Sequence, residues 1–142
     1  MYKILLVEDE DSLMDVLSLN LTLEGYHVDK AVSGNEAKQL IKRQYDLYIL
    51  DVMLPGINGF DLCELIRKSH QTPILFISAK GTSNDKIKGL SIGADDYLAK
   101  PFHLDEFLLR VNILLTRRAL QKGPNESEYT FGGNFKINFK TF

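Results

Sequence analysis

Cysteine is nearly absent. Cys63 is the only one, so no disulfide can close within the chain, which agrees with a reducing compartment. No apolar run approaches the ~20 residues that a membrane-spanning helix needs. Neither sign of charge dominates: 17 Lys and Arg face 19 Asp and Glu, a net charge of -2. That balance offers no broad basic surface for nucleic acid or membrane. Met1-Tyr2-Lys3 leads straight into a strand-like run with no signal-peptide pattern. The chain is therefore expected to be soluble and cytoplasmic. Several enzyme signatures are missing too. There is no Gly-x-Ser-x-Gly elbow for a serine hydrolase and no Walker lysine loop for an NTPase. His27, His70 and His103 lack metal-site spacing and are expected at the surface. Internal repeats and low-complexity tracts are also absent.

What is present is a core. Of 142 residues, 44% are hydrophobic, which suits one domain of ordinary size with a short extra piece. Short β-rich runs at 3–7, 27–31, 46–50, 73–77 and 96–99 alternate with helical patterns at 12–24, 34–43, 59–69, 84–91 and 104–119. Leu13, Val16, Leu17 and Leu21 recur at helical spacing, and Gly25 ends that helix. Ser33 or Gly34 can start the second helix and Asn58 or Gly59 the third, with Cys63 inside it as a small core or boundary residue. The first, third and fourth strand runs are almost wholly apolar, as expected for strands covered on both faces of a parallel sheet. Five βα units predict a doubly wound α/β domain ending near 120, with five parallel strands in the order 2-1-3-4-5.

Past that point the composition shifts. Residues 121–128 form a polar stretch with a Gly-Pro break and are expected to be a linker. Tyr129 to Phe142 follows, with Phe135, Ile137 and Phe139 alternating against Lys136, Asn138 and Lys140 around a Gly132-Gly133-Asn134 turn. A lone hairpin cannot bury such a face, so this segment is expected to open a second domain.

Charged residues follow the apolar runs. Glu8 and Asp9 come after Ile4 to Val7, Asp51 after Leu47 to Leu50, and Lys100 after Tyr97 to Ala99. Ligands of open parallel sheets bind at the carboxyl ends of the strands, where strand order reverses. Three carboxylates and one ammonium would gather there. Close carboxylates raise one another's pKa unless a cation intervenes, and Mg²⁺, with its preference for oxygen ligands and phosphate, suits them. Asp51, flanked on both sides, can act as the nucleophile that becomes an aspartyl phosphate. Lys100 would supply a counter-charge and Ser78 a hydroxyl donor. Alone, each acid is an ordinary turn or cap residue, with Asp11 or Ser12 capping the first helix; the shared strand-end position carries the reading.

These stretches resemble the receiver domain of two-component response regulators. The resemblance rests on Ile4-Leu5-Leu6-Val7-Glu8-Asp9-Glu10, on Asp46 to Gly56, on Ile77-Ser78-Ala79-Lys80 and on Gly93 to Phe102, and spans 3–119. It implies that Asp51 accepts phosphate from a sensor histidine kinase, and that Glu8, Asp9, Asp51 and the Met53 carbonyl hold Mg²⁺. Ser78 and Tyr97 would be the switch pair, Lys100 would bind the phosphoryl group, and the Lys100-Pro101 bond would be cis. Met53 and Lys80 would border the phosphoryl group; neither is a water-activating base, so a phosphoryl lifetime longer than seconds is expected.

Within the family, Lys86, Ile87, Leu90, Asp95, Asp96, Glu106, Leu108, Arg110 and Arg117 resemble the dimerisation face of OmpR/PhoB-type regulators. An apolar patch of Ile87, Leu90 and Leu108 would be bordered by intersubunit pairs: Lys86 with Glu106, Asp96 with Arg110, Asp95 with Arg117. A further pair of that group falls on Ile92 and Asn112 and is lost. Tyr129 to Phe142 resembles the start of a winged-helix DNA-binding output domain lacking its recognition helix. The expected protein is a phosphorylation switch that controls transcription through that domain, not an enzyme. The rival readings are a stand-alone receiver that docks on a protein and an aspartyl-phosphate phosphatase. Phosphatases of the haloacid dehalogenase type need a second Asp where Met53 stands.

Overall fold

A computed structural model of the protein describes residues 1–79 and 81–121. Lys80, most of the expected linker and the aromatic segment 129–142 lie outside the described residues. Ten elements alternate along the chain: β1 (Lys3–Val7), α1 (Asp11–Leu23), β2 (His27–Ala31), α2 (Gly34–Leu40), β3 (Leu47–Asp51), α3 (Gly59–Arg67), β4 (Ile74–Ser78), α4 (Ser83–Ser91), β5 (Asp96–Ala99) and α5 (Leu104–Gln121). All strand pairs are parallel, in the order β2-β1-β3-β4-β5. Strand order reverses between β1 and β3, as the sequence predicts.

The two-residue period of the strands divides the core. Leu5, Val7, Tyr48, Leu50, Ile74, Phe76 and Tyr97 face α2 and α3. Ile4, Leu6, Leu47, Ile49, Leu75, Ile77 and Leu98 face α1 and α5. Every residue of β3 and β4 is buried, which is why those runs carry no polar alternation. Side-chain caps start three helices: Ser33 accepts from the Glu36 amide, Asn58 from Asp61 and Thr82 from Asp85. The first helix departs from expectation. Glu10 is its N-cap and makes no side-chain cap bond; Asp11 and Ser12 already lie inside the helix. α2 and α3 stop short of the predicted 43 and 69 because Arg43 and Ser69 donate to carbonyls three residues back, which tightens the chain out of the helix.

Leu108, expected on an exposed patch, is 4% exposed and packs with Phe107 and Val111 in the α1–α5 layer. Its helical phase places it with the core residues. Cys63 is fully buried, and burial pushes its thiol up to about 11. His27 and His103 are exposed; His70 is half-buried, with its ring nitrogen 3.1 Å from the Ile41 carbonyl.

Tyr48 is fully buried, and its hydroxyl has no hydrogen-bond partner among the described residues. A buried unpaired hydroxyl costs about 1–3 kcal/mol. Tyr48→Phe keeps the ring and its edge contact with Tyr45. It is expected to raise stability by about 1 kcal/mol, read as a higher thermal unfolding midpoint.

Candidate phosphoacceptor and metal site

Main-chain pairing sets the site. Val7 lies opposite Leu50, Asp51 opposite Ile77 and Ser78 opposite Ala99. Glu8, Asp51, Ser78 and Lys100 therefore leave the sheet side by side. Asp51 and Ser78 are the last residues of their strands rather than the first beyond them, since the ladder continues through Val52 N–H to Ile77 O and Lys100 N–H to Ser78 O.

The two buried carboxylates are bound alike. Glu8 Oε2 accepts from the Glu10 amide at 3.0 Å and Oε1 from Lys100 Nζ at 3.0 Å. Asp51 Oδ1 accepts from the Met53 amide at 2.9 Å and Oδ2 from Lys100 Nζ at 2.6 Å. Glu8 is 0% and Asp51 2% exposed, so one ammonium serves two desolvated acids. Burial pushes the Glu8 carboxyl up to about 7, and Asp51 adds to the rise; the Glu10 amide and Lys100 oppose it. Burial works against the Lys100 charge, yet its bonds to Asp51 and Glu8 outweigh that and hold its pKa above the ordinary lysine value.

Asp9 completes the cluster from the exposed side. Carboxylate oxygens of Glu8, Asp9 and Asp51 all lie within 4.8 Å of one another. Three hard oxygen donors, two buried and one open to solvent, fit Mg²⁺, which keeps several of its waters. Beside Asp9 a cavity of about 490 Å³ is bounded by Met53, Pro55, Asn58, Phe60 and Lys88.

Ser78 is fully buried. Tyr97 is 6% exposed, tilted against Phe76, and its hydroxyl meets the Ser78 side chain. The Tyr97 ring is thus buried beside Ser78. Burial raises the Tyr97 phenol and the Ser78 bond draws it back. The Lys100-Pro101 peptide is cis, as expected.

Sequence reasoning missed Gly59 except as a helix start. A Cβ there would stand 2.3 Å from the Asp51 carbonyl oxygen and 2.7 Å from Val52 Cα. Neither backbone atom can yield. Gly59→Ala is expected to lower stability by about 2–3 kcal/mol, measured by urea unfolding, because α3 must retreat from the strand that carries Asp51. Its only signal in the sequence is a glycine just after a cap residue.

The residues of the expected dimer face are placed differently from one another. Ile87 and Leu90 are 64% and 49% exposed on α4, which is attached to the sheet chiefly through buried Gly89 against Phe76 and Tyr97. Lys86 and Arg117 are exposed. Arg110 bonds Asp96 at 2.8 Å and Glu106 at 3.2 Å within the chain. Asp95 pairs with Arg67. Asn112 is buried and accepts from the Tyr26 hydroxyl, which explains why no charged residue stands there.

This fold and acidic pocket define a CheY-like doubly wound domain with a site typical of phosphoacceptors. The chain belongs to the response regulator receiver domain family, which residues 4–112 match. The receiver domain is a signalling phosphoacceptor rather than a catalytic unit. Among curated relatives, the transcriptional regulatory protein YrkP of Bacillus subtilis is 43% identical over 96% of this chain and 60% of its own length. The response regulator ArlR of Staphylococcus aureus is 46% identical over 83% of this chain and 54% of its own. The chain thus spans little more than half the length of these relatives. The receiver domain of the Francisella response regulator 1452 superposes with a TM-score of 0.79 at 36% identity, covering 82% of this chain and 98% of that one. Among the described residues, no helix is long and apolar enough to cross a membrane.

Proposed function

We propose that Asp51 is the residue that accepts the phosphoryl group and that the donor is a phosphohistidine of a cognate sensor kinase. The observation that carries this is the buried Asp51 carboxylate, with Lys100 at 2.6 Å on one oxygen and carboxylate oxygens of Glu8 and Asp9 within 4.8 Å. An Asp51 oxygen attacks phosphorus, the P–N bond of the donor breaks, and the imidazole leaves with the electron pair and takes up a proton. The product is an acyl phosphate. Glu8, Asp9 and Asp51 would hold Mg²⁺, with the Met53 carbonyl as a further ligand. When bound, Mg²⁺ supplies positive charge to the equatorial oxygens. Lys100 turns from Asp51 to the phosphoryl group, Ser78 donates its hydroxyl to it, and Tyr97 occupies the space behind Ser78.

The altered β4–β5 edge then favours pairing of two copies through α4, β5 and α5. Relatives of which this chain spans only 60% and 54%, one of them called a transcriptional regulatory protein, support an output domain beyond the receiver. The receiver ends with α5 at Gln121, the polar stretch up to 128 is the linker, and 129–142 opens a DNA-binding domain. The switch works in the cytoplasm.

Mass spectrometry after incubation with acetyl phosphate and Mg²⁺ tests the reading. One phosphoryl adduct is expected, labile to hydroxylamine as an acyl phosphate is. An absent adduct, or one on a serine or histidine, would refute it. Met53 is half-exposed and carries no base, so the adduct is expected to decay over minutes or longer in a time course.

A further inference from the structure

The cavity of about 490 Å³ beside Asp9 is larger than a phosphoryl group needs. Its size falls within the range of small-molecule pockets, about 300–1,000 Å³. Asp9 and Met53 on its wall belong to the acceptor site; Asp85 and Lys88 come from α4, and Asn58 and Phe60 from the start of α3. Transfer to Asp51 is in line, so the leaving group lies on the side of phosphorus away from Asp51. Asp51 is buried, whereas Asp9 and Met53 are exposed. The leaving group is therefore sent outward, to the rim where the cavity opens.

The wall carries the chemistry for one kind of leaving group. The Lys88 ammonium stands 4.8 Å from the centre of the Phe60 ring, an exposed contact weak enough to be exchanged for a stronger one. No ion pair among the described residues holds it. Asn58 accepts from the Asp61 amide through Oδ1, so its NH2 group remains a donor. Of the two acids, Asp9 joins the metal cluster, and Asp85 accepts from the Thr82 hydroxyl at 2.6 Å at the start of α4. An ammonium and an amide donor beside an aromatic ring suit a carboxylate joined to an apolar group.

We propose that this cavity is the subsite for the acyl half of a small acyl phosphate donor, and that Lys88 stabilises the carboxylate that departs. This rests on the reading that Asp51 is the acceptor. An Asp51 oxygen attacks phosphorus, the bond from phosphorus to the bridging oxygen breaks, and the electron pair leaves with the acyl group as a carboxylate. No proton moves. Phosphoramidate differs, because its leaving group is neutral ammonia and it has no acyl half. The charge of Lys88 thus bears on one donor class and not on the other. The acyl half is uncharged before transfer, so Lys88 acts on the rate at saturation rather than on binding. The apolar part of the wall favours acyl groups bulkier than acetyl.

Two measurements on the whole chain with Mg²⁺ test it. In the first, labelling by acetyl phosphate, benzoyl phosphate and phosphoramidate is followed over time by mass spectrometry. The benzoyl donor should reach half its maximal rate at a concentration about tenfold below the acetyl donor. Lys88→Met keeps a stem over Phe60 and removes the charge. It is expected to lower the maximal rate about fivefold with both acyl phosphates and less than about twofold with phosphoramidate; Lys88→Arg should keep all three rates. In the second, benzoylphosphonate, whose phosphorus–carbon bond does not transfer, is titrated by NMR. It should shift the Asn58 and Phe60 amides in the wild type and in Lys88→Met, with affinities within about twofold of each other. Equal losses with all three donors, or no loss with the acyl phosphates, would overturn the role of Lys88. Unmoved Asn58 and Phe60 amides, or half-saturation no lower for benzoyl than for acetyl, would overturn the subsite. If no donor labels the wild-type chain, the acceptor reading fails, and the phosphonate titration alone judges the cavity.

Discussion

Asp51→Asn is expected to take up no phosphoryl group from acetyl phosphate under conditions that label the wild-type chain fully. The amide has no anionic oxygen to attack phosphorus, and no other acid of the cluster can substitute. Glu8 is held by the Glu10 amide and Lys100, deep beside β1, while Asp9 lies at the open edge. The loss is chemical rather than structural. Asn can still accept from the Met53 amide, and Lys100 keeps its bond to Glu8. One of two buried carboxylates that repel each other has gone, so Glu8 no longer suffers the part of its pKa rise that Asp51 causes. The variant without metal should therefore unfold at a midpoint no lower than the wild type. Its response to Mg²⁺ should shrink, because one of three oxygen donors is lost. Full labelling of Asp51→Asn would move the acceptor elsewhere. A collapsed midpoint would mean that Asp51 serves the fold.

The fold was legible because its strands obey a simple rule. Runs such as Leu47 to Leu50 and Ile74 to Ile77 are buried on both faces and so lack polar alternation. Gathering of the site followed from parallel topology alone, since it needs only that each charged residue follow its run. Strand ends were less legible: a polar Asp51 or Ser78 ends an apolar run in sequence, while the hydrogen-bond ladder passes through it. Composition also cannot separate Glu8 from Asp9. They are adjacent acids, yet one is fully buried and the other exposed, because β1 delivers them to opposite sides.

Contacts between distant residues were illegible for a different reason. Arg67 meets Asp95 across 28 residues, and nothing local marks either as one of a pair rather than a surface charge. Leu108 shows the opposite error. Resemblance to a dimer face placed it outside, whereas its spacing from Leu104, Phe107, Val111 and Leu115, visible in the sequence, placed it inside. Where likeness to a family and helical phase disagreed, phase was the physical constraint.

Lys100→Met should separate the structural charge of the site from its chemistry. The substitution keeps an unbranched stem and removes the one cation that bonds both Glu8 and Asp51. Breaking a buried pair by deleting one partner costs about 3–5 kcal/mol. Lys100 is 21% exposed, so a loss of about 3 kcal/mol is expected without metal above about pH 8. The pH dependence follows from Glu8, whose folded pKa, about 7, lies above its unfolded value of 4.5. A carboxyl raised in this way penalises the fold only when ionised. The penalty is complete above pH 7 and fades as the pH falls toward 4.5. Without Lys100 the rise is larger, because the amine was one of the influences lowering it. The deficit of the variant should therefore be greatest at alkaline pH and shrink steadily toward pH 5, where Glu8 is protonated in the fold. Adding Mg²⁺ at alkaline pH should recover most of the stability, since it restores positive charge among the same oxygens. It should not recover labelling by acetyl phosphate, because the amine aimed at the phosphoryl oxygens is gone. Urea unfolding from about pH 5 to 9, with and without Mg²⁺, gives the first readout, and adduct formation gives the second. A deficit that ignores both pH and Mg²⁺ would place the contribution of Lys100 in packing rather than charge.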